Sequence, residues 1–559
     1  MTLTLPELQS TRAIYKTEKC IPQGREEDLS ESEDNRSMMN LYSMPWKALS
    51  SAIRLQGRYS ENTFKFFQAA AEQVKTSQLC MSGVMAYIDD FMTPYWTALD
   101  SFLSLEREKL LRTHPGKTCC DYSELLHFNA DIAKKGWKSS FSAWHEYQAG
   151  EAGKTFRAWL NTVFLREGAD IREHSKRRSG LMEAIVYRYP EAIRRIEPDF
   201  GFHFDDGGYV KAGETDRFDL WQVLPTDRKV KVRAKGKPVL VIPPYVLGAG
   251  ILAFLPKENK SFTHSFANQG IPTYIRIMKK IEDTPAVQVM TGEDDCLDTR
   301  RFCEILREKH GRQVTLNGFC QGGYVSVCNL LSGELDGLVD AFITCVAPMD
   351  GIRSKSLIEY LAHLPPRFRD LGYAIKTLPN GNRVVDGKVM SWVYKLKSME
   401  REAPVSAFYR TLMVFDQEEN VRITSTAAAL NYWLIYERSD LPIGITQMSF
   451  DSYTVPVTAG GTLPVRLFGR ELNFKRLKEK GIKWLLCYAA EDDLVDKDAA
   501  LSPIDFVDAE VTEFPKGHGA IATSWSLPTS ACALHTRFGE KKFRGPVRFA
   551  LDIEQEQED

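Results

Sequence analysis

Two hydrophobic periods run along this chain. From about residue 41 to 200 the apolar positions recur every three or four residues. The stretches "WKALSSAIRLQGRYSENTFKFFQAAAEQV", "FRAWLNTVFLREGADIREHSKRR" and "LMEAIVYRYPEAIRRI" all show it. That is the spacing of one helix face, and it predicts packing helices. The tract "REHSKRR" within them reads as a solvated helix face. Residues 1 to about 40 are polar and charged, as in "REEDLSESEDNRS", and predict a loosely attached leader. Near residue 208 the period shortens. "YVKAGETDRFDLWQVLP" and "RKVKVRAKGKPVLVIPP" are rich in strand formers broken by turn residues.

Short apolar runs then alternate with helical ones. "VLVIPP", "TYIRIM", "QVTLNGF", "LVDAFITCVAP", "IKWLLCYAA" and "AEVTEFP" read as six strands. "CLDTRRFCEILREKHG" and "YVSVCNLLSG" read as helices between them. Such alternation predicts an α/β fold with a parallel sheet covered on both faces. More than a hundred residues separate the strand ending near Pro348 from the one starting near Ile482. An insertion there, above the strand ends, predicts a cap over a site. The expected organisation is therefore a leader over 1–40, a helical domain over 41–207 and a catalytic-type domain over 208–559, with a cap insertion at about 351–480.

Composition narrows the function. Lys and Arg number 72 and Asp and Glu 74, so the chain lacks the basic surplus of a general nucleic-acid binder. The segment "KPVLVIPPYVLGAGILAFLP" is the most apolar stretch, but its prolines would break a spanning helix. It predicts a buried strand and an irregular loop, with no transmembrane segment. The 11 cysteines are scattered and form no metal-type C-x-x-C pair. With no signal-like apolar run at the N-terminus, they point to a reducing, cytoplasmic setting, with no metal.

The chemistry centres on "QVTLNGFCQGGYVSV", read as strand, sharp turn and helix. Its turn carries Gly318-x-Cys320-x-Gly322, the nucleophile-elbow pattern with cysteine as the nucleophile. The turn is tight, so its close neighbours must lack side chains. The N–H of Gln321 points where an oxyanion would form, and the helix N-terminus favours a thiolate. The bland alternative is a small buried apolar residue. Later strands supply the partners. "IKWLLCYAA" is followed by "EDDLVD", offering Asp492 or Asp493, with Asp492 favoured. "AEVTEFP" is followed by "KGHGA", offering His518. The order Cys, Asp, His is that of an α/β-hydrolase fold. His114, His145, His174 and His310 read as surface groups in charged or helical contexts. His203 and His264 are less easily set aside.

These residues resemble the poly(3-hydroxyalkanoate) synthase family. "PVLVIPPYVLGAGILAFLPKENKSF" is similar to that family's strand-and-loop segment, "LNGFCQGG" to its cysteine lipase box, and "EDDLVD" and "KGHGA" to its Asp and His segments. The resemblance covers about residues 200–530. It departs where the family has P-P-W and this chain Pro243-Pro244-Tyr245, where "VLGAG" replaces an asparagine-containing loop, and where "IRIMKKIEDTP" replaces S-W-x-N-P.

The resemblance implies an acyltransferase. Cys320 takes an (R)-3-hydroxyacyl group from coenzyme A and passes it to a growing polyester. On this reading His518 is general base, and Asp492 is its orienter or the base toward the 3-hydroxyl. The Gln321 N–H supplies one oxyanion donor and the loop near Val246 the second. Acyl-CoA is a substrate, with no bound cofactor expected. The expected partners are the acyl-CoA, a polyester chain or granule surface, and a second copy of the chain. A thioesterase or polyester depolymerase on the same fold, and a non-catalytic granule-associated scaffold, are the competing readings.

Overall fold

The computed structural model describes residues 33–110, 114–164, 166–355, 358, 371–390, 403–416 and 423–553. The first 32 residues of the expected leader lie outside the described ones, and helix α1 (Glu33–Leu110) already contains the rest. Helix α2 (Pro115–Val163) follows. The predicted helical run over 156–178 is interrupted near Gly168, which has φ 117°, before α3 (Ile171–Glu183) begins. The run over 181–196 contains a π-helical turn, Ala184–Arg188, ahead of α4 (Tyr189–Arg195), where Pro190 sits in the first turn.

The chain forms two compact units, Met1–Gln78 with Gly150–Gly180, and Leu79–Ala149 with Leu181–Asp559. This division differs from a boundary at 207/208. In the first unit Ala69, Ala158 and Ile171 make a small core with Phe66 against it. Asn62 Nδ2 donates to Thr162 O at 3.0 Å, and Lys65 pairs with Asp170 at 3.2 Å. Phe64, Phe67 and Phe156 of this unit are exposed.

The second unit is built on an eight-stranded sheet. Its strands are β1 (Tyr209–Glu214), β2 (Phe218–Val223), β3 (Val239–Ile242), β4 (Thr273–Met278), β5 (Val314–Phe319), β6 (Val339–Cys345), β11 (Lys483–Ala489) and β12 (Glu510–Phe514). Their order is β1-β2-β4-β3-β5-β6-β11-β12. The six predicted strands are mutually parallel. The sheet as a whole is not, because β2 runs against both β1 and β4. The turn joining β1 to β2 is too short for a crossover, so the pair must be a hairpin. "RKVKVRAK" forms turns rather than a strand.

Alternate residues of each strand serve opposite faces. Leu240, Ile242, Leu316 and Phe342 pack with Phe302 of α7 (Gly292–His310) and Tyr324 of α8 (Gln321–Ser332). Val239, Val241, Ile343 and Cys487 pack with Phe262 and Phe266 of α5 (Phe262–Ala267) and with Ile521 and Val547 of the C-terminal loops. Between β4 and α7 lies the short α6 (Pro285–Gln288). The central strands β3, β5, β6 and β11 are buried on both sides and read as near-continuous apolar runs, while the edge strand β12 keeps the alternation EVTEF.

The insertion between β6 and β11 holds the hairpin β7 (Ile375–Thr377) and β8 (Arg383–Val385). It also holds α9 (Pro404–Phe415), α10 (Ser425–Tyr436), α11 (Ile443–Thr454), the hairpin β9 (Thr462–Leu467) and β10 (Arg470–Asn473), and α12 (Lys475–Glu479). Its parts do different things. Phe408 and Leu412 of α9 pack with Leu79, Tyr147 and Ile185 of the helical segments. Arg470, Arg476 and Lys480 bond the carbonyls of Ser332, Leu331 and Leu330 at the far end of α8. Among the described residues of the segment over 351–480, α10 and α11 reach the β3 loop and the start of α8, while the other parts named pack elsewhere.

Candidate active site

The turn after β5 is built as its glycines require. Cys320 has φ 50° and ψ −124°, outside the ordinary regions for a residue with a side chain. Its N–H bonds Cys345 O at 2.8 Å, and its carbonyl accepts from Gly323 N at 2.9 Å. A Cβ on Gly322 would overlap the carbonyl oxygens of Ile242 and Pro243, and one on Gly318 would overlap the Gly323 backbone. The thiol therefore stands at the carboxyl end of the sheet, pressed against the end of β3. It is 8% exposed and belongs to the core layer that holds Phe319, Val346 and Trp433.

Its partners follow the last two parallel strands of the sheet, β11 and β12. Ala489 of β11 is in register with Phe514 of β12. Beyond them Glu491 N–H donates to Lys516 O at 3.0 Å. That bond ties the two loops together, and His518 Nδ1 meets Asp492 Oδ2 at 2.8 Å. Asp492 Oδ1 accepts from Leu494 N and Val495 N at 2.9 and 3.0 Å, so the carboxylate is anchored at both oxygens. Asp493, its neighbour, is exposed. The Phe319 ring stands edge-on to His518 at 6.3 Å between centroids.

Burial by itself would lower the His518 pKa. Burial is the largest single influence, but the charges and hydrogen bonds of Asp492 and Cys320 together outweigh it, and the imidazole is raised well above its ordinary value. His518 Nε2 is buried and has no hydrogen bond of ordinary geometry. The ring lies between a carboxylate and a sulfur, both of which favour its protonated form.

His310, His264 and His203 have partners of their own away from Cys320. His310 is buried rather than on the surface, and lies between Tyr274 Oη at 2.9 Å and Ala234 O at 2.8 Å. Its helical context hid a side chain turned inward to the sheet. His264 is buried against Ser261 Oγ at 2.7 Å, and burial pushes its pKa down to about 4. His203 bonds the carbonyls of Glu197 and Phe200.

The loop after β3 departs from expectation. Val246 N–H, the expected second oxyanion donor, is occupied. It and Tyr245 N–H both donate to Gln321 Oε1 at 3.1 Å. Gln321 Nε2 donates in turn to Ser449 Oγ on α11. Reading Gln321 for its backbone N–H overlooked a side chain that reaches across the elbow. Behind the loop Tyr245 Oη bonds Asp295, which pairs with Arg276 at 2.7 Å. Both charged side chains are buried, and Asn329 Nδ2 completes the carboxylate at 2.7 Å.

Strand order, one reversed strand, and Cys, Asp and His after β5, β11 and β12 decide the architecture. The fold is that of the α/β-hydrolases. No protein-family model matches the chain, and no curated protein matches it either. Among solved structures, a carboxylesterase of the thaumarchaeon Nitrososphaera gargenis aligns at 14% identity over 56% of this chain and 92% of that one, with a TM-score of 0.33. The carboxylesterase CesB of Bacillus subtilis aligns at 10% identity over 60% and 92%, with a TM-score of 0.32. A thioesterase domain from the curacin biosynthetic pathway aligns at 11% identity over 56% and 94%, with a TM-score of 0.29. The assignment to the fold rests on the topology, and these likenesses carry nothing about chemistry. Among the described residues, no helix is long and apolar enough to cross a membrane.

Proposed function

We propose that this protein is an acyltransferase that forms polyester from (R)-3-hydroxyacyl-CoA through a thioester on Cys320. The observation that carries the reading is Cys320 at the strained elbow, with His518 beside it and Asp492 bonded behind. The sulfur attacks the acyl carbon, the carbon–sulfur bond to coenzyme A breaks, and the thiolate of coenzyme A leaves with a proton from His518. A hydroxyl then attacks the enzyme thioester. Its proton passes to His518, an ester forms, and the Cys320 sulfur is released.

Thermodynamics favours cysteine for this task. Exchange between two thioesters is nearly isoenergetic, so the acyl group stays activated for attack by an alcohol, which a serine ester would not allow. The apolar surroundings of Cys320 support transfer to an alcohol over loss to water. The test is incubation with 3-hydroxybutyryl-CoA, following free thiol and product size together. Thiol release with polymer supports the proposal. Thiol release with free acid alone identifies a thioesterase, and absence of both identifies a non-catalytic protein.

A further inference from the structure

The loop "VLGAG" has a second grip besides Gln321. After Val246 the chain passes Leu247, Gly248 and Ala249 before a 3-10 turn at Gly250–Ala253. Trp433 of α10 donates its indole N–H to Leu247 O at 2.9 Å. Glu437, at the C-cap of the same helix, lays its carboxylate directly on the two glycines. A Cβ on Gly248 would overlap Glu437 Oε2, and one on Gly250 would come within 2.8 Å of Oε1. Gly248 also has φ 69°, a conformation suited to glycine. The glycines thus leave room for a carboxylate from a distant part of the chain.

The grip is purpose-built on the helix side as well. Arg438 bonds the carbonyls of Trp433, Leu434 and Glu437, closing the end of α10 and holding Glu437 at the loop. Burial raises the Glu437 pKa, and the Gly250 N–H opposes this by favouring the ionised form.

We infer that Glu437 is a positioning residue: it clasps the loop that carries the Tyr245 and Val246 N–H groups and so sets the oxyanion geometry at Cys320. This deepens the reading of Cys320 as an acyl acceptor and rests on it. Glu437 touches no reacting atom. Its effect is to keep the loop at one distance from the elbow, where a shift of about 1 Å weakens every donor aimed at the developing charge.

The experiment separates geometry from reactivity. p-Nitrophenyl butyrate acylates a competent cysteine and requires an oxyanion site. Iodoacetamide alkylates the same sulfur by displacement and requires none. Glu437→Ala should lower the saturating acylation rate about ten- to a hundredfold, a fraction of what deleting a donor costs. Its KM should change less than threefold, and its rate of alkylation at Cys320 less than twofold. Glu437→Gln, which keeps an acceptor oxygen, should recover much of the loss. Gly248→Ala, which displaces the carboxylate without altering it, should reproduce the Glu437→Ala split. Unchanged acylation in Glu437→Ala overturns the inference, and so does an equal fall in acylation and alkylation. Wild-type protein that is acylated by the ester but takes nothing from 3-hydroxybutyryl-CoA overturns the substrate proposal and leaves the clasp standing.

Discussion

Cys320 holds a backbone conformation that costs a residue with a β-carbon about 1–3 kcal/mol. The surrounding bonds sustain it, and its direct consequence is a sulfur placed beside His518. The raised His518 pKa has a measurable sign. A histidine favoured as the cation in the fold adds stability that is complete below its unfolded value of about 6.5. That contribution is lost as pH rises through the higher folded value. The difference in thermal midpoint between wild type and His518→Gln should therefore be largest below pH 6.5 and shrink toward alkaline pH. A difference that grows with pH would show a neutral imidazole instead. Asp492 and Asp493 give a second residue-scale test. Asp492→Asn should slow acylation by about 10²–10⁴-fold, by analogy with triads that lose their anion. Asp493→Asn should stay within twofold, read from a burst of p-nitrophenol.

At the scale of elements, two further contacts hold the β3 loop where the elbow needs it. One is the approach of α8. Gly322→Ala would force a Cβ into two carbonyl oxygens, and overpacking of that kind costs about 1–3 kcal/mol. Urea unfolding should show the loss, together with slower acylation. The other is the buried pair behind Tyr245. Arg276 bonds Asp295, Thr299 and the Tyr245 hydroxyl, and its guanidinium lies 4.2 Å from the centre of the Phe218 ring. Removing one partner strands the other charge away from water, so Arg276→Met should destabilise by about 3–5 kcal/mol. Arg276→Met with Asp295→Asn should lose less than Arg276→Met alone. Equal losses would mean that packing, and not the charge, accounts for the effect.

For the molecule as a whole, the described parts of the insertion between β6 and β11 divide their work among three places. One part joins the helices through α9, one buttresses α8, and α10 with α11 grips the loop at the site. The Gln321–Ser449 bond joins α11 to the same carboxamide that occupies the Tyr245 and Val246 N–H groups. A substrate carbonyl that needs Val246 N–H must displace that carboxamide. Ser449→Ala removes one hydrogen bond, worth about 1 kcal/mol, and should speed acylation of Cys320 roughly fivefold. A slower variant would show that Gln321 supports the loop rather than blocking it.

Local pattern carried much of this protein. Apolar runs bounded by turn residues mark the central parallel strands, because burial on both faces writes itself into consecutive positions, whereas the edge strand β12 shows in its alternation EVTEF. The glycines around Cys320 mark the elbow, since a tight turn against β3 excludes side chains whatever lies further away. Asp492 and His518 are legible because each follows a strand, and neighbouring parallel strands deliver their loops to one edge. Other features depend on contacts between distant parts of the chain. Helical spacing does not tell a buried His310 from an exposed one, because the choice depends on Tyr274 in another strand. Nothing near Val246 announces that Gln321 will occupy its N–H, and nothing in "IYERSDLP" announces that Glu437 will rest on Gly248. A long insertion reads as one cap in sequence, but its described segments pack against three different surfaces. Burial period and turn sterics are set by near neighbours. The occupancy of a donor and the grip on a loop are set by which distant side chain arrives, and only the packed chain decides that.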